Sequence, residues 1–340
     1  MRTIVYKDID RAEWSALVKA SAIGTWFQSP EAYEFYVSLP ELFRPFVLGL
    51  ENDSTLRAVC VGYVTVEKNA VKQFVMRRAI IVGGPVLADD CTEEEACALM
   101  QAVRQRLMID DRLKMNPIFI ETRNFNDYSR WKEAFAKAGF DYMPHLNFHV
   151  HTDQGWDAVE ENIGKHRKKY IRLSFRDGAT IEENPTIEQM RVYYDILLDL
   201  YRTKVKMPLQ PWEFFEKLYH CPSCKYLLVI YDGQVVGGSI CMLLPGHGVY
   251  EWYACGKDGV FKNIYPSSVT KYAGMKYACD NGYAVFDMMG AGKPDEEYGV
   301  RDFKAEFGGE LVEHGRFLCV TKPLLYKIGV LGVKILKKIK

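Results

Sequence analysis

The stretch Lys225–Leu244, "KYLLVIYDGQVVGGSICMLL", decides the fold. Two apolar runs flank Asp232-Gly233, a dipeptide favoured in tight hairpins, so they read as paired antiparallel strands. "PGHG" (245–248) turns the chain into a third strand, "VYEWYACG" (249–256). A helix is expected from Pro266, well suited to a first helical position, to Asn281, with Gly282 just past its end. "YAVFDMMG" (283–290) is short and nearly all apolar, as in a strand covered on both faces. The short helix "DFKAEF" (302–307) then leads through Gly308-Gly309 to a last strand, "ELVEHGRFLCVT" (310–321).

The N-terminal half has the same order of elements. "RPFVLGLE", "LRAVCVGYVTVE" and "KQFVMRRAIIVGG" read as three strands. A helix from Thr92 to about Asp111, the strand "PIFIETRN", a helix "YSRWKEAFAKAGF" and the strand "DYMPHLNFHVHT" follow. "FAKAGF" and "FKAEFGG" hold equivalent places before the last strand of each half. A repeat this long is a duplicated domain, since solenoid periods are far shorter. The expected fold is therefore α/β, with two similar domains of mixed sheet flanked by helices. Their boundaries are expected at 1–152 and 153–322, with a basic amphipathic helix at 323–340.

The 340 residues are 48% hydrophobic and 26% charged, and Lys plus Arg equals Asp plus Glu at 44 each. Contact with nucleic acid or membrane must then come from local patches, because the net charge supplies none. Nine cysteines without a secretory signal read as free thiols in a reducing cytoplasm. "CPSC" (221–224) lacks the second pair of a zinc site and the strand-to-helix setting of a redox pair. His145, Asn147, His149 and His151 alternate along one face of an expected strand, and without a completing carboxylate or cysteine they read as a polar face. No metal site is expected.

Two cations stand where apolar side chains belong. Lys304 sits between Phe303 and Phe307 on a face that a short helix should bury. "WDAVEENIGKHRKKYIRLSFRDGATI" (156–181) reads as a helix closed at Gly178, with Lys165, Lys169, Arg172 and Arg176 on one stripe. Arg167 lies four residues from both Ile163 and Ile171, on the apolar side beside Tyr170. An arginine facing inward needs an anion, either a structural carboxylate or a substrate phosphate or carboxylate. The lysine stripe is either a solvated face or a contact for RNA or membrane. The last helix likewise either docks on its own domain or rests on an anionic membrane, its lysines leaving too short an apolar run to span one.

"GKHRKKYIRLSFRDGATI", "VVGGSICML", "YPSSVTKYAGMKYACDNGYAVFDMMGAG" and "GVRDFKAEFGG", taken in order, resemble the Fem-type transferases. The similarity is strongest over about 155–320 and weaker at "GTWFQSPEAYEFY" in the first half. These are tandem GNAT-fold acyltransferases that add amino acids to the peptidoglycan cross-bridge, alongside FemAB-like GNAT proteins of other substrates. The resemblance implies a sheet whose central strands, here "VYEWYACG" and "YAVFDMMG", splay to admit an activated donor. It places Lys304 at the donor end of that crevice and Arg167 near the acceptor or its phosphates.

The implied reaction is attack of an amine of a cell-envelope precursor on an ester or thioester carbonyl. Lys304 would face the developing oxyanion, and Glu251 and Asp287, on the bordering strands, are the candidate bases. Tyr170, Tyr253, Tyr265 and Phe303 would line the substrate site. "GKDGVFKNIYPSS" (256–268) lacks the Gly-rich coenzyme A loop, which fits an aminoacyl-tRNA donor over acyl-CoA or acyl-carrier protein. No tightly bound cofactor is expected. The enzyme would be cytoplasmic, with peripheral contact at the inner membrane face through the last helix. The rival readings are an acyl-CoA-type N-acyltransferase and a non-catalytic protein that binds envelope precursors.

Overall fold

The computed structural model describes residues 1–109 and 116–339. The chain divides into two units, residues 1–145 with 313–340, and residues 146–312. A single boundary at 152 is thus replaced by two crossings, and the second unit is inserted within the first.

The first unit opens with β1 (Arg2–Val5), α1 (Arg11–Ala20) and α2 (Pro30–Val37), then β2 (Phe43–Asn52) and β3 (Thr55–Thr65). Asp10 and Ser29 cap the two helices by accepting from Glu13 N and Ala32 N. Residues expected as one strand at 72–84 divide into helix α3 (Ala70–Met76) and strand β4 (Ala79–Gly83), followed by β5 (Val86–Leu87). Helix α4 (Glu93–Ile109), β6 (Phe119–Asn124), α5 (Lys132–Lys137) and β7 (Asp141–Met143) complete the run. The expected helix end near Asp111 lies outside the described residues.

The second unit contains β8 (Asn147–His151), α6 (Trp156–Asn162), α7 (Lys165–Arg176), β9 (Thr180–Glu182), α8 (Ile187–Leu200) and α9 (Trp212–Tyr219). It continues through β10 (Cys224–Tyr231), β11 (Gln234–Leu244), β12 (Gly248–Gly256), α10 (Pro266–Asp280), β13 (Val285–Gly290), α11 (Gly299–Ala305) and β14 (Glu310–Val312). The chain then returns to the first unit as β15 (Arg316–Val320) and α12 (Pro323–Ile339).

The two sheets run β1-β2-β3-β4-β6-β15-β7 and β14-β8-β13-β12-β11-β10-β9. They are the same arrangement, since each has one parallel pair, β4 with β6 and β12 with β13. The strand that separates β6 from β7 is β15, and the strand that separates β13 from β14 is β8. The last strand expected for each half is therefore cut in two. Its first piece stays in its own sheet as β7 or β14, and its second piece joins the other sheet as β8 or β15. Gly315, with φ +65°, makes the turn between β14 and β15.

Hairpin chemistry is as expected, because Asp232 and Gly233 both have positive φ, 49° and 69°. The helix expected at 156–178 is two, broken at Ile163-Gly164, where Gly164 N donates to Glu306 O at 2.8 Å. A Cβ on Gly164 would sit 3.0 Å from that oxygen. The break thus seats α7 against the end of α11, and α7 still closes at Gly178, whose φ is +103°. The core of the second unit is Phe148, Ile171, Leu227, Val249, Met275, Phe286 and Phe307 among others, packed between the sheet and α7 and α10.

Candidate active site

Strands β12 and β13 pair only over Gly248–Tyr250 and Val285–Asp287. Beyond Tyr250 and Asp287 they diverge, leaving the last six residues of β12 without β13 as a neighbour. In the first unit the equivalent β4 pairs with β6 along its whole length, Ala79–Gly83 with Ile120–Asn124. The splay belongs to the second unit.

Both strands are bent where they part. Trp252 is an extra residue against β11, since Ile240 faces Tyr253 and Cys241 faces Glu251. The bulge turns neighbours to opposite sides. Glu251 meets Lys271 of α10, whereas Tyr253 packs on Phe215 of α9 with ring centroids 5.0 Å apart. On β13 the register against β8 slips between Asp287 and Gly290, and Met289 has φ +64°. Asp287 Oδ1 accepts from Met289 N at 2.6 Å and so holds the kink from within.

The kink aims three successive carbonyls at one point, and Lys304 Nζ occupies it. The ammonium donates to the carbonyl oxygens of Met288, Met289 (3.3 Å) and Gly290 (2.9 Å). The residue is 7% exposed. Burial first, and then the Lys271 ammonium, push its pKa down to about 7, against the opposing pull of Glu251 and Asp287. Lys304 therefore fastens α11 to the free end of β13, at the mouth of the splay.

Lys271 and Glu251 form a buried ion pair. Glu251 Oε1 and Asp287 Oδ2 are buried and make no hydrogen bond. Asp287 Oδ2 lies 3.5 Å from His149 Nε2 on β8. Burial alone would lower the His149 pKa, but the Asp287 carboxylate outweighs it and the value is raised. Five ionisable side chains from α10, α11 and strands β8, β12 and β13 thus gather in the second unit around the parting strands.

A second cluster flanks α11 on its other side. Arg167 is bidentate to Glu306, Nε to Oε2 at 3.1 Å and Nη2 to Oε1 at 2.9 Å, and Nη1 donates to Ser268 Oγ at 3.2 Å. Its guanidinium lies 4.5 Å from the Phe303 ring and 5.7 Å from Tyr170. Tyr170 stacks on Tyr265 at 4.0 Å and 15°. Of the two partners left open for Arg167, the structure supplies the carboxylate. Arg167, Tyr170, Tyr265 and Phe303 stand together, Lys304, Asp287 and Glu251 form the buried group, and Tyr253 stands apart against α9.

Lys271 and Glu306 complete these clusters and were not singled out from sequence, and His149, which also joins them, was read only as part of a polar row. Lys271 carried a usable signal, a lysine in step with Ser268, Met275 and Ala278 on the buried side of α10. The expected histidine row disperses: His149 faces Asp287, while His151 is exposed beside Glu310. A surface depression of about 260 Å³ between β8, α6 and β14 contains none of the expected site residues. At the start of α10, Asp258 Oδ1 accepts from Ser267 N at 3.1 Å, so the chain's own carboxylate sits at the first amides of that helix.

Residues 232–332 match the model of the FemAB family. Comparison with curated protein sequences finds no match. A crystal structure of FemX superposes with a TM-score of 0.73 at 15% identity, covering 96% of this chain and 99% of that one. The C-terminal domain of a putative lysylphosphatidylglycerol synthetase from Agrobacterium fabrum follows at 0.58 and 13%, covering 95% and 97%. A tandem GNAT protein from the clavulanic acid biosynthesis pathway has 0.55 and 9%, covering 93% and 97%. With two like units and a splayed parallel pair, the architecture is that of two GNAT folds in tandem. The segment that resembles the FemAB family lies mostly in the second unit.

Proposed function

We propose that this protein transfers an aminoacyl group from an activated ester to a free amine of a cell-envelope precursor of the peptidoglycan-bridge type. The observation that carries the reading is the buried Lys304 ammonium at the open end of β12 and β13, the one parallel pair that parts among the described residues. FemX is the relative whose name points to this chemistry, and the FemAB match over the same unit supports it.

In the proposed step the amine nitrogen attacks the donor carbonyl carbon, and the carbonyl oxygen takes up negative charge. Lys304 stabilises that oxygen by exchanging its longest contact, the 3.3 Å one to Met289 O, for the oxyanion. The ester C–O bond then breaks, the leaving oxygen takes a proton, and the amine loses one. An amine with pKa near 10 must give up a proton to react at neutral pH. Asp287 Oδ2, which lies 3.5 Å from His149 Nε2, and Glu251 Oε1, buried without a hydrogen bond, are the proposed acceptors on the two bordering strands. Arg167 acts one step away, gripping Glu306 and thereby the helix that carries Lys304.

Two features favour an aminoacyl-tRNA donor over a coenzyme A thioester. Asp258 sits at the N-terminal amides of α10, which an incoming pyrophosphate would have to displace against like charge. Lys165, Lys169, Arg172 and Arg176 are exposed along α7 and offer a row of contacts for nucleic-acid phosphates. The test is incubation with charged tRNA, acyl-CoA and acyl-carrier protein in turn, against amine-bearing wall precursors, with product read by mass spectrometry. Transfer from charged tRNA alone is the expected result. Transfer from acyl-CoA alone would make it an N-acyltransferase, and precursor binding without transfer from any donor would remove the enzymatic reading.

A further inference from the structure

The first unit carries an apolar, basic surface that acyl transfer does not use. Helix α12 lies against α3, and Tyr326 meets Phe119 edge-on at 5.5 Å, which fixes one side of α12 to the unit. Leu324, Ile328 and Leu331, at helical spacing, lie on another side and are each more than half exposed. Helix α3 adds exposed Phe74, Val75 and Met76. Isolated apolar residues on a surface are ordinary, but two adjacent helices presenting six is a patch.

The sequence that runs through and beside these two helices is mainly basic. Residues 321–340 contain Lys322, Lys327, Lys334, Lys337, Lys338 and Lys340 and no Asp or Glu. The sequence from 67 to 78 has Lys68, Lys72, Arg77 and Arg78 against one acid, Glu67, and of these Arg77 is buried. No described helix is long and apolar enough to cross a membrane. A second copy of the chain seated on the patch would set lysines against lysines. The combination of exposed apolar side chains with a mainly basic sequence instead suits a bilayer whose headgroups are negative.

We propose that α3 and α12 together dock this protein on an anionic phospholipid surface, with α12 lying in the plane of the interface. The proposal does not depend on the transfer reaction. It extends a docking role to α3, where the sequence alone suggested only the last helix.

The full-length protein is sedimented with vesicles of phosphatidylglycerol and phosphatidylcholine, and with phosphatidylcholine alone. Binding is expected to the first and not the second, and to fall steeply between about 0.1 M and 1 M salt as the screening length contracts from about 10 to 3 Å. Leu324→Glu with Ile328→Glu, and separately Phe74→Glu, should each weaken binding at least tenfold. Lys327→Gln, which spares the apolar face, should weaken it roughly fivefold, the factor expected for one lysine near such a surface. No partitioning, equal partitioning on both vesicle types, or an unchanged Lys327→Gln variant would overturn the proposal. So would a dimer in solution that the Leu324→Glu, Ile328→Glu variant dissolves, since the patch would then be a contact between two copies.

Discussion

Removal of one member of the Glu251–Lys271 pair should do far more damage than removal of both. The side chains are 2% and 5% exposed, so neither charge can regain water when its partner is lost. Breaking such a pair typically costs about 3–5 kcal/mol, whereas replacing both members with apolar groups of similar volume is often neutral or better. For a domain of about 150–250 residues, 1 kcal/mol moves the melting temperature by about 2–4 °C. Lys271→Met alone should therefore lower Tm by about 6–20 °C, and Glu251→Leu alone by a comparable amount. The double variant Glu251→Leu, Lys271→Met should melt within a few degrees of the parent. Calorimetry on the four proteins completes the cycle. The same double variant carries a second expectation, because Lys271 lowers the Lys304 pKa more than Glu251 raises it. The Lys304-dependent limb of a pH–rate profile should move to higher pH. Additive single effects, or a Lys271→Met variant as stable as its parent, would refute the account of these two residues as a coupled buried pair.

Lys304→Met should lower kcat about 10²–10³-fold, the range for losing one oxyanion donor, and should also destabilise the fold because three carbonyls lose their donor. Turnover within tenfold of the parent in that variant would remove Lys304 from the chemistry. Lys304 is held at about 7 against an ordinary value of 10.5, so between those values the folded chain binds fewer protons than the unfolded chain. Its contribution therefore makes stability rise with pH across that window, and denaturant titrations of the Lys304→Met variant should show that slope flattened. Arg167→Met should cost only about 1 kcal/mol, since Glu306 is 46% exposed, yet reduce turnover through looser seating of α11, with Arg167→Lys rescuing little. Gly309→Ala should destabilise by about 2 kcal/mol or more, because φ is +89° and the new Cβ would lie 2.7 Å from His149 O.

Local signals explain most of what the sequence made legible. The Asp232-Gly233 turn, the Pro266 start, the Gly178 stop and the apolar β13 depend on neighbouring residues, and each is where its chemistry puts it. The partition of "DYMPHLNFHVHT" and "ELVEHGRFLCVT" between two sheets was not legible, because both pieces of each run have strand character and nothing local names the partner. The same limit hid the break at Gly164, which is set by Glu306 far along the chain. In the candidate site, polar residues in apolar positions marked side chains that the fold buries, wholly or in part, in polar clusters. Lys304 and Arg167 were found that way and Lys271 was findable. Their partners were not, since a main-chain carbonyl leaves no trace in the sequence, and Glu306 looks like any exposed glutamate.

The insertion of the second unit between β7 and β15 bears on how the molecule is made. On a ribosome, residues 1–145 emerge first, but their sheet lacks the strand that joins β6 to β7. Until residue 320 is available, β6 presents a bare edge and β7 has no hydrogen-bonding neighbour, a state open to wrong pairing. The first unit to begin synthesis is then the last to be finished. A fragment ending near residue 152 would stay unfinished, whereas residues 146–312 hold every strand of their own sheet.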